Sequence, residues 1–298
     1  MKRVTIFKWL GISGLLALLS VYGWLMVLTG GLERIPSATP VPELRVTERN
    51  QRLLATGEDF SFAVLGDMRW SSPPRIAALD RAQARSPLFM VNLGDVVEYS
   101  RKTEWRQYIG ELNHHWDRRI PYFHLPGNHS LNLRLDGIRP ALFSHYFGAV
   151  NFRRETGLWS FIFLDSSGGY LSGGQLEWLR GALATAARRR QRTIIFMHHP
   201  PFTLLSSSAQ RLAATVADHN VAAIFSAHIH TLRKDDWQGI PVYITALHQE
   251  TWRGQPAQSG WYNLVTISGR QLTVTAMPVP PPPIWRRSTM IHFSSEAK

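Results

Sequence analysis

Five apolar runs in this chain each end on side chains that can do chemistry. Phe60–Leu65 runs into Gly66-Asp67-Met68-Arg69, and Leu88–Leu93 into Gly94-Asp95-Val96-Val97-Glu98. Tyr122–Leu125 is followed by Gly127-Asn128-His129, Thr193–Met197 by His198-His199-Pro200-Pro201, and Ala222–Phe225 by His228-Ile229-His230. Carboxylate, amide oxygen and imidazole suit Zn, Mn or Fe, and with no cysteine in the chain no soft sulfur competes. Of these groups only a carboxylate offers two anionic oxygens and so can bridge a pair of cations. Each motif alone has an ordinary structural explanation: Gly-Asp makes turns and helix caps, Asn holds left-handed turns, and an isolated His packs. The set of five, all at strand ends, is what points to a metal site.

The elements that must position these residues follow from periodicity. The five runs, with Trp159–Leu164, Val242–Thr245, Tyr262–Ile267 and Gln271–Ala276, read as strands, the continuous apolar ones buried on both faces. Pro73–Arg85 carries Ile76, Leu79 and Ala82 at helical spacing, and Gly174–Arg190 places Leu176, Leu179, Leu183 and Ala187 on one face. Alternating strands and helices predict an α/β fold with helices covering mixed sheets. In such sheets the groups at the carboxyl ends of strands converge on one crevice, which would collect all five motifs. The last three strands leave no room for helices between them and predict a terminal meander.

In this order the motifs resemble those of the calcineurin-like metallophosphoesterases: D-x-H, G-D-x-x-[DE], G-N-H-[ED], a later His, and G-H-x-H. The resemblance spans about Phe60 to Met277 and includes Leu164-Asp165-Ser166 followed by Gln175-Leu176 and Trp178-Leu179. It implies a four-layer αββα sandwich of two mixed sheets and a site for two divalent metal ions. One ion would take Asp67, Asp95 and His230. The other would take Asp95, Asn128, His198 and His228, with Asp95 bridging and His129 acting on the leaving group. Two cations about 3.5–4 Å apart clamp the attacking and leaving oxygens of a phosphoryl displacement and generate hydroxide near neutral pH. The resemblance therefore implies a hydrolase acting on a phosphomonoester or phosphodiester.

Three positions depart from the family pattern. Arg69 stands where a second metal-binding His is expected, and a guanidinium cannot coordinate a cation. The first site is then left with three protein ligands and is expected to be retained but to hold its ion more weakly. Glu98 is a candidate replacement, much as purple acid phosphatases use a tyrosine there; alternatively Arg69 itself binds a phosphate oxygen as a catalytic residue. Ala227 replaces a glycine, and Ser130 replaces the acidic residue that would orient His129. Arg69 and Ser130 also motivate the alternative reading, a degenerate domain that binds a phosphate ligand or a partner without catalysis.

The amino-terminal end points to a membrane. Leu10 to Leu28 carries no charge, and as a helix its 19 residues are about 28 Å long, close to bilayer thickness. Lys2, Arg3 and Lys8 precede it, which predicts a cytoplasmic amino terminus and a single-pass anchor in the inner membrane; a cleaved signal peptide is the competing reading, but the run is long for one and Leu28-Thr29-Gly30-Gly31 matches its cleavage pattern poorly. Everything after residue 30 would lie on the periplasmic side, where a lipid-linked phosphate is within reach of the site. The expected organisation is a basic end plus anchor over 1–30, a linker over 31–57, a catalytic domain over 58–277, and a Pro-rich tail over 278–298. Of the 33 basic residues only Lys2, Lys8, Lys102, Lys234 and Lys298 are lysine, so the net charge of +12 is mostly arginine. No aromatic-interleaved basic motif accompanies it, and a nucleic-acid partner is not expected. His114 and His115 read as solvated, His124 as a core histidine, and Arg188-Arg189-Arg190 and Arg192 as a helix-end cluster. His145 and His248 are placed near enough to lean over the site.

Overall fold

The computed structural model describes residues 59–69, 72–134, 137–247 and 260–279. The proposed anchor at 10–28, the linker, His248 and the tail beyond Val279 lie outside these residues. Among the described residues no helix is long and apolar enough to cross a membrane.

The chain folds as two sheets packed face to face. One has five strands in the order β13-β12-β1-β2-β3: β1 is Asp59–Leu65, β2 Phe89–Asn92, β3 Tyr122–His124, β12 Gly260–Ser268 and β13 Gln271–Val279. The other has six in the order β10-β11-β9-β8-β7-β6: Phe152–Thr156 (β6), Trp159–Phe163 (β7), Arg192–Phe196 (β8), Val221–Ser226 (β9), Arg233–Trp237 (β10) and Ile240–Ile244 (β11). A small ribbon, β4 (Asn132–Arg134) with β5 (Gly137–Arg139), lies apart. The central strands β1, β2 and β3 run parallel, as do β7, β8, β9 and β11, so their carboxyl ends share one edge within each sheet.

The side-chain period of two along β1 explains the layering. Phe62 and Val64 point between the sheets, against Phe89, Phe161, Phe196 and Phe225. Ala63 and Leu65 point outward, where helices α1 (Ser72–Gln83), α2 (Lys102–His115) and α3 (Ala141–Phe147) cover the sheet with Leu79, Trp105, Leu112 and Phe143. On the far face α4 (Gly173–Arg188) and α5 (Ser206–Val216) cover Ile162, Ile195 and Ile224 with Leu176, Leu179, Leu183 and Leu212. The result is the αββα sandwich expected, with all nine predicted strands and both predicted helices present. A capping box opens α4, in which Ser172 Oγ accepts from Gln175 N–H and the Gln175 side chain reaches back to Ser172 N–H.

Two expectations need correction. The last three strands form no meander: β11 pairs with β9 and β10, whereas β12 crosses to the other sheet and lies between β1 and β13. Val242 and Ile244 belong to the core under α4 and α5, and Val265 and Ile267 to the core between the sheets, so each strand follows its own buried face. Nor does the tail begin at Pro278, which pairs with Trp261 inside β13. An edge strand tolerates a proline because one side of it needs no ladder hydrogen bond.

His124 is a core histidine as predicted, stacked on Phe147 at 4.3 Å and bonded through Nε2 to Tyr108 Oη at 2.8 Å. His114 and His115 are exposed. Arg189 follows α4 and pairs with Glu155, and Arg192 lies in β8 over the Trp159 ring at 5.1 Å. The inter-sheet core centres on Phe62, which is stacked on Phe89 at 4.7 Å and edge-on to Phe161 at 5.7 Å. Phe62→Ala is expected to lower stability by about 3–5 kcal/mol in urea unfolding, with an unchanged fold by circular dichroism.

Candidate metal centre

The site forms where five strands end. Asp67, Asp95, His228 and His230 all adopt left-handed backbone, with φ of 52°, 54°, 71° and 51°. Each turns its chain sharply off the strand and aims the side chain into the crevice; for non-glycine residues this costs about 1–2 kcal/mol apiece. The turns are held by specific bonds. Asp67 N–H donates to Gly94 O at 3.2 Å, Gly94 N–H to Asn92 Oδ1 at 2.8 Å, and His228 N–H to Asp67 Oδ1 at 3.1 Å. Gly94 has φ 111°, and a Cβ there would lie 2.7 Å from Gly127 Cα. Both glycines are thus required by the close approach of two loops.

Asp67 and Asp95 are buried, at 0% and 1% exposure, and neither Asp67 Oδ2 nor Asp95 Oδ2 has a hydrogen-bond donor. Burial pushes the Asp67 carboxyl well above the usual carboxylate range, and the nearby Asp95 charge pushes it further; His228 N–H and Arg69 oppose the shift. His198 is fully buried and donates Nδ1–H to Leu93 O at 2.9 Å, which leaves Nε2 without a proton. Burial, then the neighbouring His228, holds its pKa well below the ordinary histidine value. The proton-free Nε2 nevertheless faces Asn128 Oδ1 at 2.9 Å and Asp95 Oδ2 at 3.5 Å. His228 Nδ1 approaches the same Asn128 oxygen at 3.1 Å. Imidazole nitrogens, an amide oxygen and a carboxylate oxygen converging on one point fit a cation, and a backbone carbonyl that fixes the imidazole tautomer is what a metal-binding histidine uses.

Two donor clusters result. Asp67, Asp95 and His230 present ligand atoms within 4.8 Å of one another, and so do His198, His199 and His228. Asp95 lies between them, because its Oδ2 also approaches His198. The structure thus brings together Asp67, Arg69, Asp95, Asn128, His129, His198, His228 and His230. It adds His199, whose ring lies 3.9 Å from that of His228 and whose pKa burial lowers to about 3. Nothing in sequence separated His199 from its neighbour, since His198-His199 offers two candidates for one position. Ser166, in the Asp-Ser turn, accepts from His199 N–H at 2.9 Å and so steadies the histidine loop.

A cavity of about 290 Å³ lies over the cluster, lined by Arg69, Asp95, Asn128, His129 and the His228–His230 run. His129 donates Nδ1–H to the Glu98 carbonyl at 2.6 Å and its backbone N–H to Asp95 Oδ1 at 3.1 Å, and its Nε2 meets Arg69 Nη1. Its orientation therefore comes from a backbone carbonyl, with Glu98 Oε1 at 3.7 Å, and the lack of a carboxylate at Ser130 is compensated. Glu98 does not join the cluster of Asp67, Asp95 and His230 as a replacement ligand; it lies 3.6 Å from Arg69 Nη1. The guanidinium draws the carboxylate to itself. Ala227 is accommodated against Gly66, where any Cβ would lie 2.8 Å from that of Ala227. His145, on α3, does not line the cavity and packs edge-on to Tyr146.

The calcineurin-like phosphoesterase family matches residues 60–232, more than half of the chain, and the chain belongs to that family of two-metal hydrolases acting on phosphoric ester bonds. Solved structures share the fold at low sequence identity. A dimetal phosphatase from Danio rerio aligns with a TM-score of 0.56 at 14% identity, over 74% of this chain and 98% of its own. A purple acid phosphatase from yellow lupin (Lupinus luteus) aligns with a TM-score of 0.60 at 13% identity, over 75% of this chain and 52% of its own. A comparison with curated protein sequences gave no match.

A Cβ at Gly127 would lie 2.6 Å from Asp95 N and 2.8 Å from Asp95 Cγ, with backbone and a buried carboxylate unable to yield. Gly127→Ala is expected to displace Asp95, lower stability by about 1–3 kcal/mol, and abolish metal uptake. Elemental mass spectrometry of the folded variant measures this; wild-type metal content would refute it.

Proposed function

We propose that this chain is a membrane-anchored phosphoesterase that hydrolyses a phosphomonoester or phosphodiester with two divalent ions, Mn, Zn or Fe. Asp67, Asp95 and His230 would hold one ion, and Asp95, Asn128, His198 and His228 the other. The observation that carries this reading is the pair of buried carboxylate oxygens without donors beside the His198 imidazole and the Asn128 amide oxygen, which meet at 2.9 Å. The metals, when bound, supply an activated water and offset the negative charge of the phosphoryl group. An oxygen and nitrogen donor set without sulfur suits these three metals.

The remaining work falls to the chain's own residues. Glu98 O fixes the His129 ring with its proton on Nδ1, so Nε2 is the atom presented to the leaving-group oxygen. Arg69 donates to that Nε2 and lines the same cavity. An incoming phosphate competes for the guanidinium, because a charge-assisted contact to an anion is stronger than one to a neutral ring. Arg69 then binds a phosphate oxygen, and His129 Nε2, released from the guanidinium, takes up a proton from solvent and gives it to the departing oxygen, returning to the neutral ring. The apolar run at 10–28, preceded by Lys2, Arg3 and Lys8, supports an inner-membrane anchor with the domain on the periplasmic side.

Full-length protein in detergent, loaded with Mn²⁺, is expected to hydrolyse mono- or bis-p-nitrophenyl phosphate, and Asp95→Asn to lose that turnover. Arg69→Ala is expected to reduce kcat/KM about 10- to 100-fold, the equivalent of one charged hydrogen bond. Metal-loaded wild type that hydrolyses neither ester would contradict the proposal and favour a binding domain without catalysis.

A further inference from the structure

Arg75 takes no part in the mechanism above, yet it is a nearly buried cation, 7% exposed, bonded to both loops that carry the two aspartates. It projects from α1, and its Nη1 donates to two backbone carbonyls, Met68 O at 3.1 Å and Val96 O at 2.9 Å. Met68 follows Asp67, and Val96 follows Asp95. We propose that Arg75 is a positioning residue that ties these two loops together, so that both carboxylates face the same cations.

The hydrogen bonds make the case. The ladder between β1 and β2 ends with Leu93 N–H on Leu65 O at 2.8 Å and Asp67 N–H on Gly94 O at 3.2 Å. Past that point both chains turn left-handed at an aspartate, a conformation that lasts only when the surroundings fix it. Arg75 supplies the next tie. Its guanidinium is itself fixed on the opposite side, where Glu111 Oε2 on α2 accepts from Nε at 2.7 Å and pairs with Nη2 at 2.5 Å. The guanidinium carbon also lies 5.2 Å from the centre of the Tyr108 ring. A pin between α1 and α2 would need only Glu111; the two carbonyl contacts are directed at the site loops. Lysine cannot replace this arrangement, because a single ammonium lacks the planar fork that reaches two carbonyls and a carboxylate together.

Asn92 adds a weaker tie in the same place, with Nδ2 at 3.2 Å from Met68 Sδ and Oδ1 accepting from Gly94 N–H. The functional consequence of the Arg75 clamp rests on the two-metal reading above; the clamp itself rests on the hydrogen bonds alone. Two readouts keep these apart. Hydrogen–deuterium exchange of metal-free, full-length protein reports the clamp, and Mn²⁺ titration reports the site.

In Arg75→Lys and Arg75→Met, exchange in segments 66–69 and 94–98 is expected to rise together while β1 and β2 stay protected. Mn²⁺ affinity is expected to fall roughly 10- to 100-fold, as for other residues that orient metal ligands. Glu111→Gln, which keeps an oxygen acceptor for Nε, is expected to give a smaller rise in the same two segments. Leu79→Ala, a cavity in the same helix, serves as the structural control: it should lower the melting temperature and leave both readouts unchanged. Wild-type loop exchange in Arg75→Lys, or an equal rise in Leu79→Ala, would overturn the clamp. Should wild type take up no Mn²⁺, the two-metal reading fails, and the exchange data still decide whether Arg75 holds the loops.

Discussion

Two carboxylates that share one dry crevice impose the main constraint on this molecule. Asp67 and Asp95 are almost fully buried, and each keeps one oxygen without a donor. At an effective dielectric of 20, two like charges 4 Å apart repel by about 4 kcal/mol. The fold sustains this arrangement with backbone donors on one oxygen of each aspartate, from His228 and His129 at 3.1 Å, and with Arg75 bonded to both loops. Those donors leave Oδ2 of each aspartate for a cation. The left-handed backbone at both aspartates, and at His228 and His230, follows from the same need to aim side chains off strand ends into one crevice.

The departures from the family pattern are absorbed locally, each by a different means. Ser130 offers no carboxylate to His129, and the Glu98 backbone carbonyl takes over the orienting bond. Ala227 fits because Gly66 faces it. Arg69 is the consequential change: a cation stands where a ligand is expected, joined to His129 and close to Glu98. The charge that a neutral ligand would have left to the metal is then carried partly by the protein. Under the proposed function, Asp67 would still hold an ion while Arg69 would hold the substrate anion.

Much of this was legible in the sequence, for identifiable reasons. Short continuous apolar runs such as Phe161-Ile162-Phe163, bounded by turn residues, read as strands covered on both faces, and the Gly-flanked polar residues after them mark the site edge. The family resemblance assigned the ligands that the structure then brings together. Two of the edge strands were not legible, because β6 (Phe152–Thr156) and β10 (Arg233–Trp237) carry Arg, Lys and Asp and lack an apolar pattern. The separation of β11 from β12 depends on which core each strand covers, a tertiary fact that spacing does not encode. Arg75 and His199 were missed for a similar reason. One is a single arginine among many, and its two carbonyl acceptors are defined only once the loops have turned; the other is one of two adjacent histidines.

The central claim is that the donor set built around Asp95 binds two cations side by side. Electron paramagnetic resonance of the full-length protein titrated with Mn²⁺ tests it most directly. The account predicts two ions per chain with a spin-coupled signal, which Asp95→Asn removes. A single uncoupled ion at saturation, or a coupled pair that survives Asp95→Asn, would contradict it.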